Sequence, residues 1–315
     1  MDKVIQLINE AENVLILPHV HADGDAIGSC KAMCAALGTM GKRAVICAEE
    51  PIEQRLGFMS EGIVIYSGET IECDTCIVLD CGDEARIGER KKLADAAGRV
   101  INIDHHKTNT LFGDASYVEP EASSTGQILA ELFMKMGIKM DRDIARYLYA
   151  AICSDTGCFA YSNVSPETFK IAAELISCDI DHADIARELF DCVDMQAELL
   201  KAELTSRIRS YYGGRLKTVT ADEELIAKYG VTPEEVTDLV NIPRRIRGTE
   251  AAVSLKLSNG VIRASLRSNG LADVSGIALK FGGGGHSKAA GCNIEAPTLE
   301  EAERLVVDAF GEIFG

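Results

Sequence analysis

The chain has 315 residues, enough for two domains of ordinary size, and 47% of them are hydrophobic, as in globular proteins that bury a core. Its formal net charge is −17, and residues 1–214 carry most of the excess acid, so the broad positive surface that long nucleic acids require is not expected. With no Trp and only 5% aromatic residues, an extended stacking platform for long strands is not expected either.

The cysteines and the N-terminus indicate the compartment. Eleven cysteines, an odd number, follow no disulfide framework. Cys73 and Cys76 form a CxxC pair, but they stand at the edge of a predicted strand and no second pair completes a zinc site. The first residues do not resemble a signal peptide, and no apolar run approaches the roughly 18 residues that span a bilayer. We therefore expect a cytoplasmic protein without a membrane partner.

The first half of the chain alternates short apolar runs with helical patterns. This rhythm predicts an α/β fold with a parallel sheet flanked by helices. The expected strands cover residues 14–18, 44–47, 76–79 and 99–103, and the first long helix covers 26–37.

From about Ser123 the pattern becomes helical, with periodic stretches over 125–136 and 144–153. Ser165 followed by Pro166 predicts the start of a further helix. We expect a first domain over 1–190, a linker over 191–214 and a second domain over 215–315.

The predicted second domain is smaller and of the α+β class. Two alternating runs flank Asn259-Gly260, a dipeptide that favours a tight hairpin turn. Thr298 and Glu301 have the spacing of a capping box that opens the last helix.

Histidine and aspartate residues stand at the ends of several predicted elements. Because the carboxyl ends of parallel strands meet at one edge of a sheet, these residues should lie close together. They are His19, Asp23 and Asp25 after the first strand, Asp80 after the third, Asp104, His105 and His106 after the fourth, and Asp155 at the end of a helix.

A divalent metal would relieve the repulsion within such a cluster of carboxylates. Carboxylates and imidazoles without thiolates suit Mn²⁺ or a similar ion, and they outnumber the ligands that one ion needs. Two ions are therefore expected, an arrangement suited to hydrolysis at phosphorus. A lone Asp after a strand is more often a cap or turn residue, which is our interpretation of Asp83 and Asp114, and we prefer a similarly local role for His21.

Residues 282–285 are four consecutive glycines, and His286 follows them. Such a string disfavours regular structure but lets backbone N–H groups approach an anion closely. We predict a phosphate-binding loop that includes Gly283, Gly284, Gly285 and His286. The alternative is a flexible turn between a helix and a strand.

Three polar residues, Arg263, Ser265 and Arg267, alternate along the second strand of the predicted hairpin. Their spacing places them on one face of the sheet. Arginine can hold a phosphate through two parallel hydrogen bonds, so we expect all three to bind substrate. For Arg263 alone, an ordinary exposed sheet face is an equal alternative.

The acidic and histidine motifs resemble, in order, the four motifs of the DHH phosphoesterase superfamily. They read His19-x-x-x-Asp23-x-Asp25, then Asp80, then Asp104-His105-His106, and finally Ser154-Asp155-Thr156-Gly157. The resemblance implies that His19, Asp23 and Asp80 hold one Mn²⁺, and that Asp25, Asp80, His105 and Asp155 hold the other. The bridging Asp80 and His106, which would face the scissile phosphate, are then the expected catalytic residues, with Asp104 orienting the histidines.

The glycine string and the Ala-Ala-Gly that follows it resemble the DHH-associated domain, type 1. The whole chain is therefore similar to the two-domain nanoRNase/pAp phosphatases. The resemblance implies a catalytic metal-binding DHH domain over 1–190, a substrate-binding domain over 215–315 and an active site in the cleft between them.

The expected substrates are short single-stranded RNA of about two to five nucleotides and mononucleotide bisphosphates such as 3′-phosphoadenosine 5′-phosphate. A cyclic dinucleotide phosphodiesterase of the c-di-AMP type is the alternative. A non-catalytic regulator would lack some motif residues, and here every motif position is filled. Long duplex nucleic acid is not an expected partner, and a homodimer is left open. The sequence departs from the family at Ala160, where many relatives carry Arg, and at His21, where Asn is usual.

Overall fold

The computed structural model describes residues 1–231, 236 and 239–315. By its internal contacts the chain divides into two compact units, Met1–Cys192 and Val193–Gly315. Within these described ranges, no helix has the length and apolar character needed to cross a membrane.

The first unit is built on a six-stranded sheet in which all neighbouring strands are parallel, in the order β3-β2-β1-β4-β5-β6. This confirms the predicted α/β class. The strands are β1 (Asn13–Leu17), β2 (Arg43–Ala48), β3 (Ile63–Ile65), β4 (Thr75–Leu79), β5 (Val100–Asp104) and β6 (Ala115–Val118). The short strands β3 and β6 were not predicted.

Helices cover the strands of this sheet and continue beyond its last strand. They are α1 (Asp2–Glu10), α2 (Gly24–Thr39), α3 (Lys91–Ala96), α4 (Thr125–Met136), α5 (Arg142–Asp155), α6 (Pro166–Ile176) and α7 (His182–Phe190). Successive residues of β1 belong to two different apolar clusters: Ile16 packs with α2, α4 and α5, and Leu15 and Leu17 pack with α3. Both faces are therefore buried, which explains why the strands are continuous apolar runs.

The direction in which the chain adds strands to the sheet reverses between β1 and β4. The chain moves outward from β1 to β2 and β3, then returns to place β4 on the other side of β1. In an open parallel sheet, the carboxyl ends of strands at such a reversal border a crevice where ligands bind. Loops after β1 and β4 therefore meet at this point.

The second unit contains a mixed six-stranded sheet in the order β11-β12-β10-β9-β8-β7, in which β8 and β9 pair in parallel and the other neighbouring strands that the structure describes are antiparallel. Its strands are β7 (Arg209–Tyr211), β8 (Leu216–Ala221), β9 (Ala251–Ser258), β10 (Val261–Ser268), β11 (Gly284–His286) and β12 (Ala289–Ile294). Its helices are α8 (Met195–Ser206), α9 (Glu223–Lys228), α10 (Asn241–Arg244), α11 (Val274–Lys280), α12 (Leu299–Ala309) and α13 (Gly311–Phe314).

The predicted hairpin is present as β9 and β10, and Asn259 at its turn has a φ of 50°. The capping prediction at Thr298 needs correction. Its side chain accepts a hydrogen bond from the Glu301 amide, but the Glu301 carboxylate pairs with Arg304 instead of returning to Thr298, and α13 follows this helix.

The segment predicted as a linker over 191–214 contains α8 and β7. Leu200 and Leu204 of α8 are buried in an apolar cluster with Val219 of β8. The division into domains at residues 190 and 214 stays a prediction.

Candidate metal centre

Six candidate ligands come together beyond the carboxyl edge of the parallel sheet. In a first group, Nε2 of His19 lies 3.9 Å from Oδ1 of Asp23 and 3.7 Å from Oδ2 of Asp80. In a second group, Nε2 of His105 lies 3.9 Å from Oδ2 of Asp25 and 3.8 Å from Oδ2 of Asp155.

Asp80 connects the two groups. One of its carboxylate oxygens faces His19, and the other lies 3.5 Å from Nε2 of His105. Its backbone has a φ of 57°, a left-handed conformation that is costly for a residue with a side chain and that concentrates at functional sites. Asp80 thus contributes one carboxylate oxygen to each of the two groups.

Local sequence explains how α2 begins at this point. Asp23 caps α2 by accepting hydrogen bonds from the amides of Asp25 and Ala26, which turns the chain directly after β1. Asp25 then lies in the first turn of the helix and is 1% exposed. Asp23 is therefore both the cap of α2 and a predicted metal ligand.

Glycines allow α2, α4 and α5 to approach closely enough to gather the ligands. A Cβ atom on Gly28 would lie 2.7 Å from the carbonyl oxygen of Tyr147, and one on Gly126 would lie 2.5 Å from Cβ of Ala151. A Cβ atom on Gly24 would lie 2.3 Å from Oγ of Ser154, the neighbour of Asp155. Larger residues at these positions would push α5 away from the sheet edge.

Burial gives the carboxylates unusual acidities. It raises the pKa of Asp80 to about 8, with the nearby Asp23 adding to the effect. Burial also raises the pKa of Asp25 well above its ordinary value, assisted by the charge of Asp80, and it raises the pKa of Asp155. These carboxylates therefore resist carrying several negative charges together unless a cation joins them.

The distances fit shared cations better than hydrogen bonds. Pairs at 3.5–3.9 Å are too long for strong hydrogen bonds. Two ligand atoms that each lie about 2.1 Å from one ion are separated by roughly 3–4 Å. Nδ1 of His19 lies 2.6 Å from the carbonyl oxygen of Val20 and 3.0 Å from a guanidinium nitrogen of Arg86, so these groups hold the ring on that side while Nε2 faces Asp23 and Asp80.

His106 differs from the other histidine of its motif. Its Nδ1 lies 2.7 Å from Oδ1 of Asp104, and the other Asp104 oxygen accepts from Asn109 at 2.6 Å. The bond to Asp104 raises the pKa of His106 despite burial. For Asp104, burial acts to raise the pKa, but the bonds from His106 and Asn109 outweigh it and lower the pKa below its ordinary value.

Thr125 is a residue of this site that was not predicted from the sequence. Its amide donates to Oδ2 of Asp25 at 2.7 Å, the next amide in α4 donates to Oδ1 at 2.9 Å, and its hydroxyl donates to Oδ1 of Asp80 at 2.9 Å. The sequence contains one signal that could have indicated this role. The side chain of Ser124 caps α4 and so marks a helix N-terminus, where backbone amides can bind anions.

The residues that were not favoured as metal ligands make local structural contacts instead. Asp83 caps a 3₁₀ turn, and Asp114 accepts a bond from the Val100 amide at the start of β5. His21 is largely exposed and lies beside Glu50. All eleven cysteines are free, and Cys76 is buried within β4.

The second unit holds a pocket of about 390 Å³ that contains part of the predicted substrate-binding set. The residues lining it are Arg263, Ala264, Ser265, Gly282, Gly283, Gly291, Cys292 and Asn293. Arg267, Gly284, Gly285 and His286 were predicted to bind substrate but do not line this pocket.

The glycine string is more regular than predicted, because Gly284–His286 forms the edge strand β11. Packing explains two of its glycines: a Cβ atom on Gly283 would lie 2.2 Å from the Gly291 carbonyl oxygen, and one on Gly285 would lie 2.6 Å from that of Ala289. The glycine string therefore packs closely against β12, which the prediction of a phosphate-binding loop did not include.

Strand register still places the predicted residues on one face. Across the sheet, Arg267 pairs with Ala289, which pairs with His286. Directly opposed residues of antiparallel strands point to the same side. Arg267 and His286 thus flank a small alanine, and the alternation along β10 puts Arg263 and Ser265 on the same side.

The chain matches two known protein families. Residues 13–152 match the family described as "DHH family, N-terminal domain", and residues 218–314 match the "DHHA1 domain".

Full-length relatives and a solved structure are similar to it. It is 31% identical to the bifunctional oligoribonuclease and PAP phosphatase NrnA of Thermus thermophilus, over 99% of this chain and 94% of the relative. It is 28% identical to the protein of the same name from Bacillus subtilis, over 97% and 96%. The crystal structure of an exopolyphosphatase-related protein from Bacteroides fragilis superimposes with a TM-score of 0.90 at 27% identity, covering 100% of this chain and 98% of the other.

Proposed function

This chain belongs to the DHH family, and from that premise we propose that it is a metal-dependent hydrolase of phosphoester bonds in short oligoribonucleotides of about two to five residues and in 3′-phosphoadenosine 5′-phosphate. The observation that carries the proposal is the position of Asp80, whose two oxygens face two separate groups of candidate ligands. The full-length similarity to proteins named as oligoribonuclease and PAP phosphatase supports the substrate class.

We assign the metal ligands as two overlapping sets, with Mn²⁺ as the proposed ion. His19, Asp23 and Asp80 would hold one ion, and Asp25, Asp80, His105 and Asp155 would hold the other. Two such ions, when bound, would lower the pKa of a water molecule and offset charge on phosphoryl oxygens. The absence of thiolates among the ligands supports a metal that prefers oxygen and imidazole.

His106 is proposed to bind the scissile phosphate. His106 also forms a group with Asp80 and His105, in which its Nδ1 lies 3.7 Å from Oδ1 of Asp80, but the same atom lies only 2.7 Å from Oδ1 of Asp104, so we assign it to the bond with Asp104 and not to a metal. The bond to Asp104 favours a protonated imidazole, so Nε2 can donate a hydrogen bond to a phosphoryl oxygen. Asp104 is thus a positioning residue that also sets the charge of His106.

The sheet face of the second unit is proposed to bind the nucleotide portion of the substrate. Arg263, Ser265, Arg267, His286 and the glycines Gly283, Gly284 and Gly285 would share this task. Two arginines on one face offer planar donors for phosphate oxygens, and the small residues between them leave room for an anion. A cytoplasmic location is proposed on the strength of the eleven free cysteines.

A substrate panel tests the proposal. The purified protein with Mn²⁺ is assayed against 3′-phosphoadenosine 5′-phosphate, linear dinucleotides, a 5-mer, a 24-mer and cyclic dinucleotides. We expect turnover of the bisphosphate and the short linear substrates. Preferential turnover of cyclic dinucleotides would instead establish the cyclic phosphodiesterase alternative, and no turnover of any member would overturn the proposal.

A further inference from the structure

The chain forms an unusual turn immediately after Asp155. Gly157, Cys158 and Phe159 have φ values of 55°, 55° and 62°, so three consecutive residues, two of them with side chains, are left-handed. Such a backbone persists only where its surroundings hold it, and these conformations concentrate at functional sites. The hydroxyl of Thr156 accepts a bond from the Phe159 amide at 3.1 Å and holds the turn from within.

The turn supports the side chain of Tyr161. A Cβ atom on Gly157 would lie 2.3 Å from Cζ of Tyr161 and 2.6 Å from both Cε atoms, so the phenol ring rests directly on the glycine backbone. The ring is nevertheless 62% exposed. Phe159 is different, because its ring is partly buried and stacks on Phe169 with the centroids 5.6 Å apart.

The segment that carries Tyr161 is tied to the candidate metal centre on both sides. On one side, Gly157 is two residues beyond Asp155. On the other, Nδ2 of Asn163 donates to the Asp155 carbonyl oxygen at 3.1 Å and to the Ser123 carbonyl oxygen at 2.9 Å. A supported, largely exposed aromatic ring therefore lies on the segment that directly follows Asp155, a carboxylate assigned to the metals.

We propose that Tyr161 is a specificity-determining residue on which the nucleobase next to the scissile phosphate stacks. An aromatic face accepts any base, because every base has a π surface, and stacking needs no hydrogen-bond pattern. The support from Gly157 fixes the ring before binding, which reduces the entropy lost when a base is placed on it. The inference rests on the proposed function, since it concerns the nucleotide substrates assigned there.

Binding of a product analogue tests stacking separately from catalysis. The probe is 2-aminopurine riboside 5′-monophosphate in the presence of Mg²⁺, because 2-aminopurine fluorescence is quenched when the base stacks. The variants are Tyr161→Ala, Tyr161→Phe and, as a control that removes another exposed aromatic ring of this region, Phe169→Ala. Circular dichroism verifies that each variant is folded, and Tyr161→Leu provides a variant with apolar bulk but no π face.

We expect quenching in the wild type, in Tyr161→Phe and in Phe169→Ala. Tyr161→Ala and Tyr161→Leu should lose the quenching and bind about 5- to 150-fold more weakly, the range of one base–aromatic stack. Equal quenching and affinity in Tyr161→Ala and the wild type, or the same loss in Phe169→Ala alone, would overturn the proposal.

Hydrolysis of two dinucleotides separates this inference from the proposed function. Tyr161→Ala should raise KM for a normal dinucleotide but not for one with an abasic ribose beside the scissile phosphate. If no oligoribonucleotide is hydrolysed, the proposed function fails while the quenching still reports on stacking. If the normal dinucleotide is hydrolysed equally well by Tyr161→Ala and the wild type, the stacking role fails and the proposed function stands.

Discussion

The hydroxyl of Thr125 donates to Oδ1 of Asp80 at 2.9 Å, joining the first turn of α4 to the residue that follows β4. The amide of the same threonine donates to Asp25 at 2.7 Å. One residue therefore positions two buried carboxylates from different parts of the chain. Because the donors are fixed by a helix N-terminus, the carboxylates are held in place before a cation arrives.

Replacing Thr125 with Val should weaken metal binding, because valine keeps the shape of threonine but cannot donate to Asp80. Loss of a partner that orients a ligand typically costs about 10- to 100-fold in metal affinity. Thr125→Ser is the matched control, since it retains the hydroxyl and should bind within a fewfold of the wild type. Titration of the metal-free proteins with Mn²⁺ measures both. Equal affinity in Thr125→Val and the wild type would show that the hydroxyl is unimportant for the metals.

Replacing Asp80 with Asn should abolish activity and change the pH dependence of the metal-free protein. Burial raises the pKa of Asp80 to about 8 in the folded state, above its ordinary value of 3.8. The folded protein therefore binds this proton more tightly than the unfolded chain, so stability falls as pH rises from about 4 through 8. Asparagine at this position cannot ionise, so it removes this pH-dependent loss of stability. Its side-chain oxygen can still accept the hydrogen bond from the Thr125 hydroxyl.

Scanning calorimetry in EDTA between pH 5 and pH 9 measures this effect. We expect Asp80→Asn to be more stable than the wild type at pH 9, on the order of a few kcal/mol, with a smaller difference at pH 5. Adding Mn²⁺ should stabilise the wild type far more than the variant. Parallel pH profiles would contradict the buried, charged state of Asp80, and wild-type turnover by the variant would contradict its bridging role.

Replacing His106 with Ala should separate catalysis from metal content. If His106 donates to the phosphate through Nε2, its loss should lower kcat by about 10²- to 10³-fold while both ions remain bound. Elemental analysis of the purified variant, with His105→Ala as the ligand-loss control, provides the measurement. A metal deficit in His106→Ala equal to that of His105→Ala would make His106 a ligand instead.

The sequence allowed the sheet and the main acidic residues to be predicted because the relevant signals are local. A buried parallel strand is a continuous apolar run, and the polar residue that ends it is visible without knowledge of the fold. Asp80, which follows β4, and Asp104, which ends β5, are examples. The edge strands β3 and β6 were missed because three or four residues give too short a pattern.

The roles of Thr125 and Tyr161 depend on tertiary approach, which local patterns do not contain. Thr125 reaches Asp80 because Gly126 lets α4 pack closely on α5. Tyr161 is held by the glycine backbone at 157 in a conformation that no periodicity indicates. The glycine string was predicted as a phosphate-binding loop, but its pairing as β11 depends on the small residues of β12, and its role in binding stays a prediction.

Arg267 and His286 should both contribute to the binding of a dinucleotide. They flank Ala289 in one row across three strands, so both can bind one phosphate group placed on that alanine. Arg267→Ala and His286→Ala should each weaken dinucleotide binding while leaving the slow hydrolysis of bis-p-nitrophenyl phosphate largely intact, because that ester has no second phosphate to engage them. Arg304→Ala is the matched charge control, since Arg304 lies on α12 and pairs with Glu301 at the surface.

The last prediction concerns substrate length. The net charge of −17 should repel the phosphates of a longer strand that extend beyond the bound ones. We therefore expect kcat/KM to be highest for about two to five nucleotides and to fall with length, most steeply at low salt, where screening is weakest. Steady-state kinetics with a dinucleotide, a 5-mer and a 24-mer at two salt concentrations measure this dependence. Equal cleavage of the 24-mer and the dinucleotide would contradict the length preference, and parallel loss of both activities in Arg267→Ala and His286→Ala would contradict their role in binding the nucleotide.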